Sequence, residues 1–248
     1  MAQGLIFAAN WKMNVTPPEA RAYVERFLAG FTPQPGRRYW FFPSAVSLET
    51  TAGALSGKPG LGVGVQDVHW EPKGAFTGAT SIALARGAGA TAVLVGHSER
   101  RHVFGETDGE TGKKVGAALG GGMTPLLCVG ELLAEREAGS TETVVLRQLA
   151  AGIAGLSSAD LGRVVVAYEP VWAIGTGKNA TPQDAASVHR VIRAELGRRG
   201  HAAPHILYGG SVSPANAASL LAQTEIDGVL VGGASLDPDG WRQIVDLE

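Results

Sequence analysis

Eight short runs of aliphatic and β-branched residues recur along this chain, and they constrain its fold more than any other feature. They are Leu5–Ala9, Tyr39–Phe42, Leu61–Val65, Ala92–Val95, Pro125–Val129, Val164–Tyr168, His205–Tyr208 and Gly228–Val231. Each is apolar almost throughout, so a strand built from it has no face to give to water. Strands buried on both faces belong to parallel sheets covered by helices. The intervals carry helix signals. Thr16-Pro17-Pro18-Glu19 precedes Ala20–Leu28, and Thr181-Pro182-Gln183-Asp184 precedes Ala185–Arg199. Each supplies a capping hydroxyl, a proline suited to the first helical position and an acid in the first turn. Further helices are expected at Ala45–Leu55, Ser81–Arg86, Glu110–Leu119, Glu142–Ala154, Pro214–Gln223 and Pro238–Val245.

Strand and helix therefore alternate eight times in 248 residues, about 31 residues per unit, which is the size of one strand, one helix and two connections. No Ser/Pro-rich linker or charge block divides the chain. The expected fold class is α/β: a single (β/α)8 barrel domain, residues 1–248, with eight parallel strands. An open doubly wound sheet is the alternative. Glycine, 35 of the 248 residues, is about twice as frequent as usual and spread along the chain, as many tight turns require.

Composition excludes other classes. With 45% hydrophobic and 18% charged residues the chain can build a sizeable core and is not disordered. No apolar stretch reaches the roughly 18 residues of a spanning helix, and Met1-Ala2-Gln3-Gly4 does not open a signal peptide. No membrane partner is expected, and the location expected is cytoplasmic. One cysteine, Cys128, forms no disulfide within the chain, which suits a reducing compartment. A net charge of −2 argues against nucleic acid as a partner, so an anionic ligand must be held by local groups.

In such a barrel function sits on the loops that leave the strands. The first strand is followed by Asn10-Trp11-Lys12, the fourth by Gly96-His97-Ser98-Glu99, the sixth by Glu169-Pro170, and the last two by Gly209-Gly210-Ser211 and Gly232-Gly233. Glycines without Cβ let backbone N–H groups approach an oxyanion. Either pair alone reads equally as a turn, but two pairs on the adjacent strands where barrels bind phosphate point to a phosphate site. Lys12 at a strand exit can supply the cation.

His97 and Glu169 are the acid–base candidates, because imidazole titrates near neutral pH and a partly desolvated carboxylate becomes a stronger base. His97 opens a short helical turn whose N-terminal dipole disfavours imidazolium. Ser98 leaves the strand on the opposite side from His97, which argues against a nucleophilic serine.

There is no His-Glu-x-x-His, no cysteine pair and no metal-ligand spacing, so no metal is expected. Gly175-Thr176-Gly177-Lys178 fails the Walker pattern, because the earlier glycine it requires is Trp172, and no Gly-x-Gly-x-x-Gly follows a strand. The apolar, glycine-bearing stretch after Glu169 suits a lid that expels water, with packing on the barrel rim as the other reading.

Five motifs, read together, resemble the triosephosphate isomerase family: Asn10-Trp11-Lys12-Met13-Asn14, Gly74-Ala75-Phe76-Thr77-Gly78, Gly96-His97-Ser98-Glu99-Arg100-Arg101, the stretch from Ala167 to Gly177, and Tyr208-Gly209-Gly210-Ser211-Val212. The match runs in order from residue 5 to about residue 236. The resemblance implies a TIM barrel that interconverts dihydroxyacetone phosphate and glyceraldehyde 3-phosphate through an enediolate, without cofactor or metal. It implies Glu169 as the base, His97 as the neutral electrophile and Lys12 with Asn10 as the cationic substrate contact. It implies Gly175, Ser211, Gly232 and Gly233 as phosphate ligands, an accessory part for Glu99, and a packing or catalytic part for Cys128. A Schiff-base aldolase using Lys12 and a non-catalytic copy are the alternatives, and the second should have lost Glu169 or His97.

The resemblance also implies a homodimer through loop 66–78, with Thr77 approaching Asn10 and Glu99 of the other copy. This chain departs from the pattern at Ala79, where the family usually has a glutamate that pairs with the arginine equivalent to Arg100. It departs again at Asp237-Pro238-Asp239-Gly240-Trp241, in place of Lys-Pro-Glu-Phe. Arg100 is therefore expected to be satisfied within its own chain, mainly by Glu106, leaving apolar contacts of Phe76 to carry the dimer.

Overall fold

The computed structural model describes residues 4–174 and 180–247. Its eight strands are β1 Ile6–Asn10, β2 Arg38–Phe42, β3 Leu61–Val65, β4 Ala92–Val95, β5 Thr124–Val129, β6 Val165–Tyr168, β7 Ile206–Tyr208 and β8 Gly228–Val231. All neighbours pair in parallel and in sequence order, and β1 pairs with both β2 and β8, which closes the barrel. The open doubly wound sheet is thereby excluded.

Alternation along each strand divides the apolar residues into two cores. Ile6, Ala8, Trp40, Phe42, Leu94, Leu126, Cys128, Ala167, Leu207 and Leu230 fill the barrel interior. Phe7, Tyr39, Phe41, Val93, Val166 and Tyr208 pack outward beneath the helices with Phe27, Leu149, Ile192 and Trp241. Each fully buried large side chain contributes about 2 kcal/mol of transfer free energy, so the sandwiched strands carry most of the driving force. Ring size is matched between neighbouring strands: a Cβ on Gly64 would lie 2.1 Å from the Phe42 ring and one on Gly62 would lie 2.9 Å from Trp40. The bulk of β2 occupies the space that glycines leave on β3.

Proline and hydroxyl starts place the helices where the sequence predicts, at Pro17–Leu28 after Thr16 and Pro182–Arg198 after Thr181. The segment Ala45–Leu55 divides into a 3-10 turn, Ala45–Ser47, and an α-helix, Leu48–Leu55. Two short helices, Leu133–Glu137 and Ser158–Leu161, were not expected, because one turn carries no readable apolar period.

The long connection after β3 has structure of its own. His69 bonds through its amide to the Thr80 carbonyl, and its ring lies between Trp70 (centroids 4.3 Å apart) and Phe76 (4.0 Å). Arg100 is satisfied within its chain, with a correction: Asp67, at 3.1 Å, is nearer than Glu106, at 3.4 Å. Lys114 links the same two carboxylates at 2.6 and 2.7 Å, and Arg100 also lies over the Phe104 ring. Among the described residues no helix is long and apolar enough to cross a membrane.

Candidate active site

Parallel closure delivers every strand exit to one end of the barrel, where Asn10, Lys12, His97, Glu169, Ser211, Gly232 and Gly233 line one cavity of about 260 Å3. Gly175 lies outside the described residues. Glu169 and His97, 72 positions apart in the chain, stand with Glu169 Oε1 3.1 Å from His97 Nε2, both side chains buried. The second carboxylate oxygen, Oε2, accepts a hydrogen bond from the Ser98 backbone N–H at 2.8 Å.

The tautomer of His97 follows from its partners. The Glu99 backbone N–H donates to Nδ1 at 3.2 Å, so Nδ1 presents a lone pair and the proton of a neutral ring sits on Nε2. That nitrogen faces Glu169 and the Asn10 side-chain amide, 3.3 Å away. His97 also caps the turn Ser98–His102.

Lys12 occupies a left-handed backbone conformation, φ 53°, that non-glycine residues seldom adopt. Its amide donates to Asn10 Oδ1 at 3.0 Å, and its carbonyl accepts from Gln66 Nε2 at 2.8 Å. Strain of this kind persists where neighbours over-determine it, here to bring the ammonium to the cavity mouth. Nζ pairs with Glu99 Oε1 at 2.5 Å. The glycines opposite lie close to the Glu169 and Lys12 side chains. A Cβ on Gly209 would sit 2.9 Å from Glu169 Cγ, and one on Gly232 would sit 3.1 Å from Lys12 Cε.

Three participants were not singled out from sequence. Glu131, fully buried, accepts from Trp172 Nε1 at 2.9 Å and from the Tyr168 hydroxyl at 3.1 Å, and it fixes the start of the segment after Glu169. It follows Cys128-Val129-Gly130 at the exit of β5, but nothing in spacing reveals a bond across 41 residues. Tyr208 Oη is buried with no partner among the described residues, and burial pushes the phenol up to about 12. The Ser98 backbone amide has no sequence signature at all. Cys128 lies in the barrel interior with its thiol raised by burial, the environment of a packing side chain. Among the described residues no three metal-binding side chains gather.

An acid–base pair facing glycine-lined strand exits in a closed parallel barrel defines a catalytic barrel built for a small anion. Residues 5–248 match the family model for triosephosphate isomerase. Similar curated proteins include the triosephosphate isomerases of Roseiflexus sp. (strain RS-1), 49% identical over 97% of this chain and 96% of that one, and of Solibacter usitatus (strain Ellin6076), 47% identical over 98% of each. That of Aquifex aeolicus (strain VF5) is 44% identical over 97% of this chain and 98% of its own. The chain belongs to the triosephosphate isomerase family, and by family it is an isomerase.

Proposed function

We propose that the chain interconverts dihydroxyacetone phosphate and D-glyceraldehyde 3-phosphate by proton transfer through an enediolate, with Glu169, His97 and Lys12 as its catalytic residues. The observation that carries this reading is the placement of the Glu169 carboxylate and the His97 Nε2–H at one wall of the cavity that Ser211, Gly232 and Gly233 also line. The substrate phosphate is held at Ser211 and the Gly232-Gly233 backbone, with Gly175 as the lid's contribution, and Lys12 attracts it. Asn10 and His97 direct N–H donors at the carbonyl oxygen.

Glu169 takes a proton from the carbon beside the carbonyl. The freed electron pair forms the carbon–carbon double bond, and the carbonyl electrons move onto oxygen, where His97 and Lys12 stabilise the charge. His97 moves the proton between the two oxygens, and Glu169 returns its proton to the neighbouring carbon. A neutral imidazole is a weaker acid than imidazolium and so is better matched to an enediolate, a match for which this family is itself a standard example. A lid over the intermediate would keep out the water in which it would eliminate phosphate, and residues 175–179 of the stretch read as that lid lie outside the described residues.

The active assembly is a homodimer through loop 66–78. Phe76 is 43% exposed and Met13 is 96% exposed, while Phe104 borders a cavity of about 490 Å3 at the base of the same loop. Apolar side chains left open beside a deep cavity fit a second copy whose loop tip fills it. The single cysteine is free and buried, in keeping with a cytoplasmic enzyme. A coupled assay with glyceraldehyde 3-phosphate tests the reading: isomerisation undiminished by a chelator is expected, and no turnover, or a metal requirement, overturns it.

A further inference from the structure

The opposite end of the barrel, where the strands begin, holds a second cavity of about 320 Å3 lined by Arg38, Thr124, Arg163, His201 and His205 and by backbone between them. No carboxylate is in its lining. Arg38 is the first residue of β2 and lies on the interior side of the strand, in the same alternation as Trp40 and Phe42. Its guanidinium lies 5.3 Å from the Trp40 ring centroid, and its Nη2 is 3.3 and 3.4 Å from the two ring nitrogens of His205. Among the described residues no acidic side chain pairs with it. Partial burial lowers its pKa, as expected of a charge taken from water without compensation.

His201 also lines the cavity, with its Nε2 buried away from it. Of the neighbouring carboxylates, Asp227 is held away from the cavity and Asp160 is held by Arg163, whose Nη2 also donates to the Leu119 carbonyl at 3.1 Å. Asp227 Oδ2 accepts from Arg193 Nη2 at 2.7 Å and from the Ile206 amide at 2.8 Å, while Asp160 pairs with one edge of Arg163 at 3.3 Å. The Arg38 guanidinium, with no acidic partner among the described residues, is costly at this cavity unless an anion joins it. The planar forks of two arginines match the oxygens of a tetrahedral oxyanion.

We propose that this basal cavity binds a small phosphate-class dianion, held by Arg38 and Arg163, separately from the catalytic cavity. The source is inorganic phosphate or a phosphate monoester, and both present the same oxygens. The site adds to the isomerase reading and does not depend on it.

Calorimetric titration of the whole protein with inorganic phosphate tests this. The wild type is expected to take up two equivalents per chain, Lys12→Met to keep the basal one, and Arg38→Gln to lose it while kcat and KM for isomerisation stay unchanged. Arg163→Gln, on a half-exposed side chain that does not support the core, should weaken the same equivalent at least tenfold, so the test survives if Arg38→Gln fails to fold. Competition by glycerol 2-phosphate for the basal equivalent identifies a monoester site, and failure to compete identifies a free-phosphate site. A wild type that binds one equivalent, or an Arg163→Gln variant that keeps wild-type affinity for the basal equivalent, overturns the proposal.

Discussion

The backbone amide of Ser98 holds the carboxylate of Glu169 at 2.8 Å while the other carboxylate oxygen lies 3.1 Å from His97 Nε2. On the proposed mechanism that carboxylate must reach the substrate carbon from this wall of the cavity. Its reach therefore matters. Glu169→Asp, shorter by one methylene, is expected to lower kcat about 100-fold with KM within about threefold of wild type. His97→Gln should cost a similar factor. Steady-state kinetics in both directions checks both, and unchanged turnover in Glu169→Asp would remove it from the mechanism.

Trp172 is tied to Glu131, and the Tyr208 hydroxyl is buried without a partner among the described residues. Deleting residues 174–177 should give a protein that folds and still binds triose phosphate but releases inorganic phosphate during turnover. A colorimetric phosphate assay run alongside isomerisation measures this. Normal isomerisation with no phosphate release would reduce the segment to a rim loop.

Phe76 packs its ring at a tilt against His69 and leaves nearly half its surface open, whereas Arg100 is already paired with Asp67 and Glu106 of its own chain. Association should therefore be apolar in character and insensitive to moderate salt. Phe76→Asp or Thr77→Arg is expected to produce monomers with little activity. Sedimentation velocity at falling concentration decides, and a fully active wild-type monomer or a dimer that dissociates in moderate salt contradicts this interface.

His189 is wholly buried, its Nδ1 bonded to the Glu225 carbonyl and its Nε2 unpartnered among the described residues, and burial lowers its pKa from 6.5 to about 3. Between those two values the unfolded chain binds a proton that the folded chain refuses. Stability contributed by the neutral ring is thus complete above pH 6.5 and falls as pH drops toward 3, by roughly 1 kcal/mol per pH unit. His189→Gln, which does not titrate, should flatten that slope in denaturant titrations between pH 6 and pH 4. An equal slope in both proteins would show that other groups govern acid sensitivity.

Val15 sits at φ 66°, a left-handed conformation unfavourable for a β-branched residue. Releasing that strain by Val15→Gly is worth about 1–2 kcal/mol, against which the added freedom of glycine in the unfolded chain subtracts about 0.5–1 kcal/mol. The expected net result is a small rise in Tm, about 2 °C for a chain of this size. A fall in Tm would mean that Val15 packing outweighs its backbone strain.

The sequence by itself determined the strand positions, because runs as apolar as Ala92–Val95 and Gly228–Val231 admit no exposed face, and the structure places strands on those same residues. It also determined the helix starts, since Thr16 and Thr181 followed by proline satisfy local amide geometry whatever surrounds them. The motifs named His97, Glu169 and Lys12 as candidates, because residues leaving parallel strands must emerge at one end. What only the tertiary structure decided were the contacts between elements. These include the Ser98 amide on Glu169, Glu131 beneath Trp172, Asp67 ahead of Glu106 on Arg100, and Arg38 facing His205 at the base of the barrel. Local pattern reports which face of a strand is buried. The distance between two side chains far apart in sequence is set by barrel closure and strand register, and neither is written in the residues themselves.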